Sequence, residues 1–180
     1  SNLLQDRYVA SVMPTSRLAV EKICSRVDPH SARTVIEYGP GTGVLTRSLL
    51  RRLNPDARLI AIERNEALAA VLRRDCRDPR LQIYRDCAGN VLDIARRCGA
   101  GEADCVISGI PFSFLSAGAR REILRDTHRI LRPGGKFLAY QTFYQPPGHL
   151  REPLRELFPS VSTGFAVLSV PPLLLVEAIK

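Results

Sequence analysis

Hydrophobic positions along this chain change period repeatedly. Short aliphatic or β-branched runs at 33–38, 57–63, 81–85, 104–108 and 136–142 have the length of buried strands. Between them, segments at 43–53, 65–75, 89–98 and 117–131 carry apolar residues at helical spacing. In the first of these, Val44, Leu45, Leu49 and Leu53 can cover a sheet. Breakers fall at the joints: Asp78-Pro79, Gly99-Ala100-Gly101 and Pro133-Gly134-Gly135. Residues 3–28 read as two helical pieces split at Met13-Pro14, with Thr15 or Ser16 as an N-cap. After Pro146-Pro147 comes a short helical stretch at 151–157, then apolar runs at 164–170 and 173–180 divided by Pro171-Pro172. The pattern predicts a doubly wound α/β sheet of seven strands, mostly parallel and closed by an antiparallel C-terminal strand pair.

At 180 residues and 45% hydrophobic, the chain is expected to form one domain over 1–180, with 1–30 a helical segment ahead of the sheet. No apolar run is long enough to span a bilayer, and no targeting segment is visible after the non-methionine start at Ser1. Cys24, Cys76, Cys87, Cys98 and Cys105 are odd in number and form no C-x-x-C pair. With only His30, His128 and His149 beside them, they read as reduced thiols of a cytoplasmic protein, with no metal site. The net charge is +8, and only Lys22, Lys136 and Lys180 are lysines. Dispersed arginines fit an anionic partner, and they equally fit a compositional bias spread over solvated helix faces.

The chemistry concentrates where strands end, because open α/β sheets bind ligands outside the carboxyl ends of their strands. Strand one runs into Glu37-Tyr38-Gly39-Pro40-Gly41-Thr42-Gly43. Glycines at alternate positions allow φ > 0 and let a ligand approach the backbone. A dinucleotide fingerprint needs G-x-G-x-x-G, and Val44 stands where its third glycine would be. Strand two ends at Glu63-Arg64, where a carboxylate can accept from both hydroxyls of a ribose. Strand three ends at Asp86-Cys87-Ala88, placing a second acid for an adenine amino group. Strand four ends at Ser108-Gly109-Ile110-Pro111. Singly, Glu63 could cap a helix and Asp86 could be a turn residue; their succession at strand ends is what points to a nucleoside cofactor.

The E-x-G-x-G-x-G run resembles the first motif of the class I S-adenosylmethionine-dependent methyltransferases, and Leu131-Arg132-Pro133-Gly134-Gly135-Lys136 resembles their turn before strand five. The resemblance covers nearly the whole chain and implies a Rossmann-like fold with S-adenosyl-L-methionine as cofactor. It implies that Gly39, Gly41 and Gly43 line the methionine portion, with Glu37 orienting the loop. Glu63 would hold the ribose, Asp86 to Ala88 would border the adenine, and Ser108 to Pro111 would flank the reactive methyl.

Two groups within that family compete. Val35-Ile36-Glu37 and the G-P-G-T-G turn resemble the ribosomal RNA adenine dimethylases, but Gly109 stands where those enzymes carry an asparagine. Ser108 to Pro111, Ile60 to Asn65 and Pro14 to Arg17 resemble the bacterial phospholipid N-methyltransferases. That resemblance implies methylation of a phosphatidylethanolamine-type amine, a lipid substrate at an anionic membrane surface in place of nucleic acid, and a peripheral location on the inner membrane. The 1–30 segment would then contact membrane or cover the cofactor. Tyr144 is a candidate catalytic residue, and Tyr8, Tyr38 and Tyr140, or water held by Ser108 or Gln141, are further candidates to take the amine's proton. A small-molecule methyltransferase and a non-catalytic cofactor-binding protein are the remaining readings. Oligomeric state is not legible.

Overall fold

A computed structural model describes residues 17–142, 148–166 and 173–180. The elements follow in the order α1 (Arg17–Cys24), β1 (Thr34–Tyr38), α2 (Val44–Leu50), β2 (Arg58–Ile62), α3 (Glu66–Asp75), β3 (Leu81–Tyr84), α4 (Val91–Arg97), β4 (Ala103–Ser108), α5 (Ala117–Ile130), β5 (Leu131–Thr142), α6 (Gly148–Leu157), β6 (Ser160–Ala166) and β7 (Leu173–Ile179). The seven strands form one sheet in the order β3-β2-β1-β4-β5-β7-β6. β1 to β5 are parallel, and β7 pairs antiparallel with both β5 and β6. The doubly wound α/β expectation is met, with the order reversing between β1 and β4.

Helices cover both faces. Val20 and Ile23 of α1 and Leu45 and Leu49 of α2 pack on Val35, Leu59, Cys105 and Ile107. On the other face, Val91 and Ile94 of α4, Ile123 and Leu124 of α5, and Leu150 and Leu154 of α6 pack on Ile36, Ile60, Val106 and Phe137. Adjacent strand residues enter opposite clusters because side chains alternate across a sheet. Local signals start the helices: Asn65 accepts from Leu68 N–H at 3.1 Å, and Ser116 accepts from Ala119 N–H at 3.2 Å.

Several boundaries differ from the sequence pattern; α2, for one, ends at Leu50 where the pattern runs to 53. β5 begins at Leu131, inside the expected turn, because Leu131 already pairs with Ala103 before the register shifts to Cys105–Lys136. Pro133-Gly134-Gly135 is thus bulged out of β5, with Gly134 at φ 73° and its N–H bonded to Lys180 O at 2.8 Å. β6 lies at Ser160–Ala166, earlier than the apolar run at 164–170, since an edge strand bonded only to β7 tolerates Ser160, Ser162 and Thr163. α6 starts at Gly148, three residues before the expected stretch at 151. The expected first helical piece, Tyr8 and Tyr144 lie outside the described residues.

Candidate active site

The carboxyl ends of β1 to β5 converge on the loop after β1. Gly39, Gly41 and Gly43 have φ of 66°, 58° and 79°, the left-handed region that favours glycine. The loop is tied down by Gly39 N–H to Ile62 O at 2.9 Å and by Gly43 N–H to Pro40 O at 2.9 Å. A Cβ on Gly41 would meet nothing within 4 Å, so this glycine borders open space. Gly43 differs, because a Cβ there would lie 2.3 Å from Leu72 Cδ1 of α3. The missing side chain at Gly43 also lets α2 and α3 pack.

Glu63, only 7% exposed, sits just past β2. Its Oε2 accepts from Gly41 N–H at 3.0 Å and its Oε1 from Asn65 N–H at 2.8 Å. The carboxylate that orients the glycine loop is therefore Glu63. Glu37, expected in that role, accepts instead from Thr46 Oγ1 of α2 at 2.7 Å, and its Oε1 is buried with no partner. Burial pushes the Glu37 carboxyl up to about 7, partly offset by the Thr46 bond, with the Glu63 charge adding to the rise. A buried acid with one unpaired oxygen is poised to meet a cation.

Asp86 follows β3 and accepts from Asn90 Nδ2 at 2.6 Å, Cys87 N–H at 2.8 Å and Arg97 at 3.1 Å. The Asn90 amide leads these bonds in holding the Asp86 carboxyl below the usual carboxylate range. Ala88 is buried beside it, while Cys87 and Arg64 are exposed. After β4, the buried Ser108 Oγ accepts from Ile110 N–H at 3.2 Å, and Gly109 N–H donates to Tyr38 O at 3.0 Å. These two bonds fold Gly109-Ile110-Pro111 back toward the glycine loop, and a Cβ on Gly39 would lie 3.4 Å from Ile110 Cγ1.

Tyr38 is corrected as a candidate base. Its ring is fully buried and its hydroxyl lies 3.1 Å from Thr127 Oγ1 of α5, so only its backbone serves the site. Thr42 and Pro40 contribute carbonyls to the loop's own bonds, from Arg47 at 2.9 Å and Gly43 at 2.9 Å. Sequence reasoning missed Thr46, whose place one turn into α2 beneath Glu37 could have flagged it. It also missed the position of Tyr140, which stands against Gly109. Among the described residues no cluster of His, Cys, Asp or Glu could hold a metal.

Comparison with known proteins gives the family and the fold. A family described as a methyltransferase domain matches residues 35–135, more than half of the 180-residue chain. The chain belongs to that family. A solved precorrin-6y C5,15-methyltransferase from Geobacter metallireducens superposes with a TM-score of 0.76 at 16% identity, covering 92% of this chain and 90% of that one. An ornithine lipid N-methyltransferase from Singulisphaera acidiphila is 28% identical over 91% of this chain and 84% of its own. A ribosomal RNA small subunit methyltransferase A from Acidithiobacillus ferrooxidans is 34% identical, but over 63% of this chain. The chain spans 43% of that relative's length.

This enzyme is a class I S-adenosylmethionine-dependent methyltransferase, and the residues present fit its cofactor. Glu37 has an unpaired buried oxygen for a cationic group, Glu63 has remaining lone pairs for a diol, and Gly41 leaves the backbone open. Asp86 supplies an acceptor where the resemblance places the adenine.

Proposed function

We propose that this methyltransferase N-methylates the amine of a membrane aminolipid, of the phosphatidylethanolamine or ornithine-lipid kind. The carrying observation is the near end-to-end likeness to the ornithine lipid enzyme, set against a partial match to the ribosomal RNA enzymes. The exposed surface supports it. Phe114, just past the Ile110-Pro111 turn, is 52% exposed, and Phe165 of β6 is 54% exposed. Because Ala166 pairs with Leu173, which pairs with Thr142, Phe165 lies toward the sheet edge that carries the glycine loop. Leu18 of α1 is exposed too, and Lys22 of α1 donates to Phe165 O. The exposed Arg17 precedes Leu18 in α1, so a basic group adjoins an exposed apolar one, as suits a lipid interface with anionic headgroups.

Bound S-adenosylmethionine supplies an electrophilic methyl: the acceptor nitrogen's lone pair forms the N–C bond while the C–S pair returns to sulfur. The chain's own contribution is placement. Glu63 fixes the loop and Ser108 fixes the turn beside it, so that donor and acceptor meet in line. The test is turnover on one amine in two forms. Ethanolamine-headgroup lipid in vesicles containing anionic lipid should be methylated, and free phosphoethanolamine should not. Equal turnover of both would replace the lipid reading with a soluble-amine one.

A further inference from the structure

We propose that the Tyr140 hydroxyl holds the amine nitrogen at the methyl-transfer position; the carrier of that amine rests on the aminolipid reading above. Ser108 pairs with Ala139, so the next position along each strand brings Gly109 opposite Tyr140. A Cβ on Gly109 would lie 2.5 Å from Tyr140 Oη, 2.9 Å from Cζ and 3.3 Å from Gly39 O. The phenol thus fills the space that any side chain at 109 would need. Its hydroxyl stands at the joint between the first loop glycine and the Ser108-Gly109-Ile110-Pro111 turn. Glycine at 109 is explained by the tyrosine across from it.

Tyr140 shares a sheet face with Leu138 and packs on the α1–α2 side, the side toward which Glu37 reaches Thr46. Burial first, then the Glu37, Cys24 and Glu63 charges, push its phenol far above the ordinary tyrosine range. The hydroxyl therefore stays protonated and does not serve as the base. As a neutral phenol it retains lone pairs that accept an N–H, which orients the nitrogen's own pair. No proton is transferred to Tyr140; an ammonium gives its surplus proton to solvent before the N–C bond forms.

The test uses two cofactor analogues, which makes it independent of the acceptor. S-adenosylhomocysteine has a thioether sulfur at the reacting position; sinefungin has an amine-bearing carbon there. In calorimetry, Tyr140→Phe is expected to weaken sinefungin about tenfold, the scale of one hydrogen bond to a charged group. S-adenosylhomocysteine binding should change less than twofold, which also reports that the variant is folded. Tyr140→Leu should lose the same preference, and Tyr140→Leu with Gly109→Asn should recover part of it by placing an amide oxygen in the vacated space. Equal losses for both ligands, or no loss for sinefungin, would overturn the proposal. A normal sinefungin preference with unmethylated vesicles would instead refute the lipid reading and leave Tyr140 in place.

Discussion

At the scale of residues, two glutamates, Glu37 in β1 and Glu63 just past β2, divide the work. Glu63 binds the loop from below through Gly41 N–H at 3.0 Å. Glu63→Gln keeps one oxygen for that bond and forfeits the second charged acceptor, so cofactor affinity should fall by about 1.5–3 kcal/mol in calorimetry. Unchanged affinity would remove Glu63 from the site. Glu37 is fully buried. Its folded pKa is raised to about 7 from 4.5, so the stability of the neutral form is present below the unfolded value and lost as pH rises through about 7. Glu37→Gln, which can still accept from Thr46, should abolish that pH dependence between about 5 and 7. At pH near 8 it should melt higher than wild type without cofactor, by roughly 1–3 kcal/mol of stability, while binding cofactor more weakly. Equal melting profiles would mean Glu37 is not strained by burial. The glycines separate in the same way. Gly43→Ala should cost about 1–3 kcal/mol through overpacking on Leu72, and Gly41→Val should cost about 1–2 kcal/mol through its left-handed backbone while abolishing cofactor binding in the folded protein. The acids and glycines were legible because spacing alone brings them to strand ends. The division between Gly41 and Gly43, and the neighbour of Gly109, depend on residues about 30 positions away, Leu72 and Tyr140, which no local pattern reveals.

At the scale of elements, the parallel strands were readable because each is a continuous aliphatic run bounded by turn residues, as burial on both faces requires. The edge was not: β6 carries Ser160, Ser162 and Thr163, and its identity comes from pairing with β7. The bulged Pro133-Gly134-Gly135 segment read as a turn because its residues are turn formers; only the Leu131–Ala103 pair reveals that β5 has already begun. Arginine is used as a fastener between elements. Arg80 donates to Leu50 O at 2.6 Å and Leu53 O at 2.8 Å, closing the end of α2, while Asp78 pairs with it at 2.7 Å. Arg80→Met should lower stability by about 1–2 kcal/mol, read by chemical denaturation, with cofactor affinity intact in the folded protein. A loss of affinity without a loss of stability would contradict that structural role.

At the scale of the whole molecule, much of the +8 charge lies in such fasteners, Lys22 and Arg26 among them, which bond Phe165 O and Glu177, while Arg17 beside Leu18 is exposed. Arg80, Arg120 and Arg132 are bonded to protein carbonyls or carboxylates, so charge alone overstates the surface offered to an anionic partner. Among the described residues no helix is long and apolar enough to cross a membrane. The proposed lipid contact uses the exposed Phe114 and Phe165. Phe114→Ser with Phe165→Ser should reduce co-sedimentation with anionic vesicles and lower turnover on lipid, leaving cofactor affinity unchanged. The most direct test of the account is transfer of labelled methyl from S-adenosylmethionine in one mixture. That mixture holds ribosomal RNA and vesicles of ethanolamine-headgroup or ornithine lipid with an anionic lipid. The account predicts label in the lipid amine and none in the RNA. Label in RNA with unlabelled lipid would contradict it.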